Sequence, residues 1–128
     1  MTDSPTILVI EDSEAERFFL RRTISACLPT ADVVEFAYAE AALRYLGSAA
    51  CPDVLSIFVD INMPRMDGFA FADAFASLPP GRRRATRIWI VSHSIDPRDR
   101  EQADAHPEIF GFLSKTYSTN DIARALEF

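Results

Sequence analysis

The sequence predicts an α/β domain in which five parallel strands, in the order 2-1-3-4-5, carry helices on both faces. Three observations predict it. Short apolar runs alternate with helix-length segments five times along the chain, the joining loops are short, and each of the inner runs ends on a polar or acidic residue instead of a hairpin turn. Parallel neighbours need a crossover, usually helical, and crossovers are right-handed, so the alternation points to a doubly wound sheet. The order is that of the flavodoxin-like arrangement, whose functional groups gather at the carboxyl ends of the strands.

Thr6 to Ile10 is apolar almost throughout and stops at Glu11-Asp12-Ser13, as a strand buried on both faces does. Ser13 or Asp12 caps a helix reaching about Cys27, with Phe18, Phe19 and Leu20 expected in the core and Arg17, Arg21 and Arg22 outside. Val33 to Phe36 is the second strand, and Ala39 to Leu46 an Ala/Leu-rich helix closed by Gly47. Val54 to Val59 is the third strand, ending at Asp60; a proline-containing loop leads to a helix from about Gly68 to Leu78, which Pro79-Pro80-Gly81 stops. Arg87 to Val91 runs into Ser92, and the next helix starts at Asp96 or Pro97 and ends near Ala105. Ile109 to Leu113 leads to Ser114-Lys115, and Asn120 to Glu127 forms the last helix.

The bulk properties bound the function. With 128 residues the chain is expected to be one domain, 1–128; since it stops at Phe128 with no output domain, the expectation is either output through protein contacts or a domain trimmed from a longer chain. A composition 48% hydrophobic and 25% charged is that of a globular protein that folds alone. The formal charge of -6 has the wrong sign for coating nucleic acid or anionic membrane. Met1 to Pro5 is polar and acidic and leads into too short an apolar run for a signal peptide or transmembrane helix, which makes the cytoplasm the expected compartment. Cys27 and Cys51 lack metal-ligand spacing and read as reduced packing residues. His93 and His106 also lack partners at ligand spacing, and His106, before Pro107, is expected on a surface loop. Arg82-Arg83-Arg84 with Arg87 falls at the opposite edge from the acidic strand ends and reads as a solvated loop.

Glu11 and Asp12 follow strand one, Asp60 strand three, Ser92 strand four and Lys115 strand five. Parallel strands bring these ends to one edge. Taken singly, Glu11 and Asp12 would be helix N-terminal acids stabilised by the helix dipole; together with Asp60 they make a cluster whose mutual repulsion calls for a cation. A hard divalent ion with oxygen ligands suits it, Mg²⁺ first and Mn²⁺ second. Beside such an ion a carboxylate can attack phosphorus in line, and Asp60 is the central one. Lys115 would place a positive charge, and Ser92 a hydroxyl, on the phosphoryl oxygens.

Ile7-Leu-Val-Ile-Glu-Asp-Ser13, Val59-Asp-Ile-Asn-Met-Pro-Arg-Met-Asp-Gly68, Ile90-Val-Ser92 and Phe112-Leu-Ser-Lys115 together resemble the receiver-domain signature of two-component response regulators, over almost the whole chain. The resemblance implies that Asp60 is the phosphoacceptor and Asp12 a direct metal ligand. It makes Glu11 a ligand directly or through water, and Asn62 the donor of a backbone carbonyl to the metal. Ser92 would be the switch hydroxyl, Lys115 the phosphate-binding lysine and Phe112 the switch aromatic. It further implies a histidine kinase or phosphotransfer protein as donor, a downstream protein as target, and a monomer or phosphorylation-dependent dimer. Phosphorylation would shift contacts around the fourth helix and fifth strand, with Arg98, Arg100, Glu101 and Phe112 as candidate contact residues. On this reading the chain is a switch with slow self-dephosphorylation and not a turnover enzyme.

Two positions depart from the family. His93 follows the switch serine where a small residue is usual, and is expected to gate the phosphorylated lifetime sterically. Thr116 stands where a proline usually follows the lysine, so the loop is either trans and rearranged or strained. The competing readings are a pseudo-receiver that binds partners without phosphorylation, and a small Mg²⁺-dependent phosphohydrolase. Against the latter, Asn62 lies two residues after Asp60, where an aspartate-based phosphatase carries an acid.

Overall fold

The computed structural model describes residues 4–79 and 85–127. Its strands are β1 (Thr6–Ile10), β2 (Asp32–Phe36), β3 (Val54–Asp60), β4 (Arg87–Ser92) and β5 (Ile109–Ser114). Among the described residues the helices are α1 (Glu14–Cys27), α2 (Ala39–Gly47), α3 (Gly68–Ala76), α4 (Pro97–Ala105) and α5 (Thr119–Ala125). The strands form one sheet in the order β2-β1-β3-β4-β5, every pair parallel, as the sequence predicts.

The period of two along each central strand divides the core into two layers. Ile7, Val9, Phe58 and Val91 face α1 and α5, where Leu20, Ile24, Ile122 and Ala125 cover them. Leu8, Ile10, Ile57, Val59, Ile88 and Ile90 face the other way, against α2, α3 and Ala103 of α4. The largest fully buried side chains are Phe58, Phe71 and Phe75, each worth roughly 1.5 to 3 kcal/mol of transfer free energy. Cys27 and Cys51 pack within these layers and are not joined in a disulfide, as expected.

Local chemistry fixes the helix starts. Ser13, Asp67, Asp96 and Ser118 each accept a backbone N–H of the first turn, a contact worth about 1 kcal/mol per cap. Ser118 and Asp121 complete a reciprocal capping box. That box starts α5 at Thr119, one residue earlier than the sequence reading, and the helix stops at Ala125 instead of Glu127. Likewise α3 ends at Ala76, two residues short of Leu78, where Ser77 caps it before the prolines act.

Other expectations are corrected. Phe18 and Phe19 are exposed, not in the core. At 100° per residue only one of three consecutive side chains can face the sheet, and that one is Leu20, in register with Thr23 and Ile24. Phe18 lies under the guanidinium groups of Arg21 and Arg22, and Phe19 stacks on Tyr117. Gly47 is the last residue of α2 and has no positive φ; Ser48 follows as an extended cap. His106 does lie in the loop after α4, as expected, and is held there: Nε2 lies 2.7 Å from Asp73 Oδ1 on α3 and Nδ1 accepts the Glu108 N–H. The Arg82-Arg83-Arg84 cluster lies outside the described residues, as do Pro80 and Gly81.

A glycine is required in β5. A Cβ at Gly111 would stand 2.4 Å from Cζ3 of the Trp89 ring on β4, a rigid neighbour wedged against Phe110. Gly111→Ala is therefore expected to destabilise the fold by about 1 to 3 kcal/mol. Thermal melting checks this: the loss should shrink in the double variant with Trp89→Leu, and an unchanged midpoint in the single variant would contradict it.

Candidate active site

The carboxyl ends of β1, β3, β4 and β5 meet at one edge, and this is where the chain concentrates its charge. Asp60 is the last residue of β3 and Ser92 the last of β4; Glu11 and Lys115 come one residue after β1 and β5. Glu11 is 5% and Asp60 6% exposed, whereas Asp12 lies open to solvent. One carboxylate oxygen from each of Glu11, Asp12 and Asp60 lies within 4.8 Å of the others.

Lys115 is the only lysine in the sequence. Its Nζ donates to Glu11 Oε1 at 2.6 Å, also bonds Glu16, and lies 3.3 Å from Asp60 Oδ1. The loop that carries it is trans at Thr116, and the Lys115 backbone N–H donates to the Ser92 carbonyl at 2.9 Å. With Thr116 in place of proline, Lys115 reaches both Glu11 and Asp60. Glu11 is fixed more firmly still: its Oε2 accepts the Ser13 N–H, its own N–H donates to the Phe36 carbonyl, and its carbonyl accepts from Arg17.

Desolvation dominates the two buried acids. Burial raises the Asp60 carboxyl above its usual range, against the opposing pull of Lys115 and of the Asn62 N–H. Burial likewise raises Glu11, with Lys115 and the Ser13 N–H pulling down and the Asp60 charge pushing up. Burial alone would lower the Lys115 ammonium, but its bonds to Glu11 and Glu16 and the charge of Asp60 together outweigh this and raise it. Burial pushes the neighbouring Tyr117 phenol up to about 12. The site is thus an acid-rich pocket whose buried carboxylates are paired, among the described residues, with Lys115.

Around Asp60 the backbone is tightly drawn. The Gly68 N–H donates to the Ile61 carbonyl at 3.0 Å, and a Cβ on Gly68 would lie 2.7 Å from the Asp60 carbonyl oxygen. The loop between, Ile61 to Asp67, can fold back on β3 only because residue 68 has no side chain. Arg65 in this loop has φ 67°, in the left-handed region, and is held over the Tyr38 ring and against Glu40.

Similarity to known proteins agrees with this geometry. The chain matches the response regulator receiver domain model over residues 7–127. It belongs to the response regulator receiver family. It resembles a response regulator receiver protein from Dyadobacter fermentans at 28% identity and TM-score 0.83, covering 96% of this chain and 95% of that one. In fold it also resembles a two-component response regulator from Cytophaga hutchinsonii (23% identity, TM-score 0.84, 98% of both chains). Chemotaxis protein CheY4 of Vibrio cholerae is similar in fold as well (23% identity, TM-score 0.79, 96% of both chains). No curated protein matches by sequence.

In this receiver the oxygen donors suit a hard divalent ion. Two ligands of one Mg²⁺ sit roughly 3 to 4 Å apart, and oxygens of Glu11, Asp12 and Asp60 lie within 4.8 Å of one another. The backbone N–H of Asn62 points at the Asp60 carboxylate, so the residue is placed at the pocket, with its side chain in solvent.

Ser92 is fully buried and its Oγ accepts the Ser94 N–H at 2.9 Å. Among the described residues no hydrogen bond joins it to Asp60. Phe112 is half-buried on the α4 side beneath the Arg100 guanidinium. Two residues at the site escaped the sequence reading. Ser94 bonds Asp99 and the Asp96 N–H and so knits the segment after β4 to α4. Glu16 touches both Lys115 and His93. Its signal was its place one turn before Leu20, on the α1 stripe facing the sheet.

No helix among the described residues is long and apolar enough to cross a membrane.

Proposed function

We propose that this receiver accepts a phosphoryl group on Asp60 from a histidine kinase or histidine phosphotransfer protein and relays the change to a downstream protein. The observation that supports it most is the meeting of a buried, ionisable Asp60 with the chain's only lysine and two further carboxylates at one sheet edge. Glu11, Asp12, Asp60 and the Asn62 carbonyl would hold Mg²⁺, or Mn²⁺. When bound, the ion supplies positive charge for the acidic pocket and for the phosphate oxygens.

The P–N bond of the donor breaks as the bond from phosphorus to Asp60 Oδ forms. Positioning and charge neutralisation do most of the work, because the transition state is loose. Lys115 offers its ammonium to one phosphoryl oxygen. Ser92 offers its hydroxyl proton to another after leaving the Ser94 contact. The modification replaces the single carboxylate charge of Asp60 with a phosphoryl group carrying about -1.5 to -2, a net gain of roughly one negative charge beside the buried Glu11, which biases the β4-to-α4 segment and the Phe112 face toward a second arrangement. The reading is of a stoichiometric switch, since Asn62 offers no acid for turnover.

Incubation with Mg²⁺ and a small acyl phosphate, followed by intact mass, tests this. A gain of one phosphoryl group, lost in Asp60→Asn, is expected. No gain in the wild-type chain would overturn the reading.

A further inference from the structure

We propose that Glu16 is a latch on Lys115: in the unphosphorylated chain it occupies one of the lysine's three donors and must release it before Lys115 can bind a phosphoryl oxygen on Asp60. The proposal rests on Asp60 as phosphoacceptor and makes Glu16 a positioning residue for the lysine.

An ammonium has three N–H donors and no acceptor. Here three carboxylates face it, Glu11, Glu16 and Asp60. A phosphoryl oxygen adds a fourth claimant, so one of the three has to let go. Glu11 is the costly one to release. It is 5% exposed and anchored through its side chain, its N–H and its carbonyl, and it would be left as a buried charge short of its cation. Glu16 is the inexpensive one: its side chain is 39% exposed, so water solvates it once released.

The place it would go is already marked. His93 Nε2 lies 3.3 Å from Glu16 Oε1, the same oxygen that bonds Lys115, and its ring is two-thirds exposed. A cleft of about 200 Å³, lined by Glu16, Phe19, His93 and Tyr117 and also by Glu11 and Lys115, opens beside it, with room for the Glu16 carboxylate to turn toward His93. The residue expected from the sequence to gate Asp60 sterically is in contact with Glu16.

The latch stabilises the unphosphorylated state and is already open in the phosphorylated one. Glu16→Gln keeps the shape of the side chain and removes its charge. It is expected to speed phosphoryl uptake from a small acyl phosphate about two- to fivefold, the worth of one partly exposed ion pair, and to leave the rate of phosphoryl loss unchanged. Glu14→Gln removes the same charge from an exposed neighbour and should alter neither rate.

A second readout needs neither metal nor phosphate. Because Lys115 is the only lysine, its acetylation by a small acylating reagent, mapped apart from the N-terminal amine, reports its ion pairs directly. In the metal-free chain Glu16→Gln should raise that rate by a similar factor, with Glu16→Ala as the confirming variant. If the wild-type chain takes up no phosphoryl group, the functional reading fails while the acetylation arm still decides the latch. Acetylation unchanged within about twofold in both variants, or equal effects of Glu14→Gln and Glu16→Gln, would overturn it.

Discussion

Asp60→Asn is expected to abolish phosphoryl uptake and at the same time to raise the melting temperature of the metal-free chain at neutral pH. The two effects have one cause. Asp60 is buried beside Glu11, and its folded-state pKa lies above the usual carboxylate value because desolvation outweighs the help from Lys115. A raised pKa means that the folded state prefers the protonated acid, so the group's contribution is fully present below the unfolded pKa of about 4 and is lost as pH rises through the folded value. At neutral pH the ionised carboxylate therefore costs stability. The amide keeps the shape and removes the charge, while Lys115 retains Glu11 and Glu16. A gain of about 1 kcal/mol, or roughly 4 °C, is expected. Melting in the presence of a chelator between pH 4 and pH 8 checks it. The gap between variant and wild type should widen as pH rises and then level off. A variant less stable than wild type at pH 7 would mean that Asp60 is a net stabilising partner of Lys115.

The opposite change is larger. Lys115→Ala removes the only cation paired with the Glu11 and Asp60 carboxylates among the described residues and leaves two buried carboxylates facing each other and the nearby Asp12. Breaking a buried pair by deleting one partner costs about 3 to 5 kcal/mol, so the melting midpoint should fall by more than about 10 °C. Because the loss is electrostatic, a divalent cation should restore part of it. Mg²⁺ is expected to raise the midpoint of Lys115→Ala more than that of the wild type, and acidification toward pH 5 should narrow the deficit as the two acids protonate. A midpoint within about 2 °C of wild type in chelator would show that the cluster is not held by its lysine.

The sheet was legible in the sequence because its signals are local and repeated: apolar runs of strand length, each followed by a helix with a polar start. The site was legible for the same reason. In a parallel sheet, a residue just after a strand must come to the carboxyl edge, so Glu11, Asp12, Asp60, Ser92 and Lys115 were bound to assemble once the strands were found. Glu16 was harder to see because it sits on a helix, where reaching the site depends on rotation about the helix axis and not on register alone. Phe18 and Phe19 misled for a related reason. Two adjacent aromatic residues look like core, but in a helix that packs by one narrow stripe they straddle it, and cation–π contacts with Arg21 and Arg22 and stacking on Tyr117 hold them at the surface.

The sequence by itself determined the strand order, the carboxyl-edge cluster and membership of the receiver family, because periodicity, caps and strand-end chemistry act over a few residues. The tertiary structure alone decided who holds the lysine. Glu11, Glu16 and Asp60 come from three separate elements, and which of them shares Lys115, at what distance and how deeply buried, depends on how α1 is rotated against β1 and β5. It also decided the cost of the pocket. Burial raises two of its acids, a consequence of packing density around the sheet edge that no short stretch of sequence encodes.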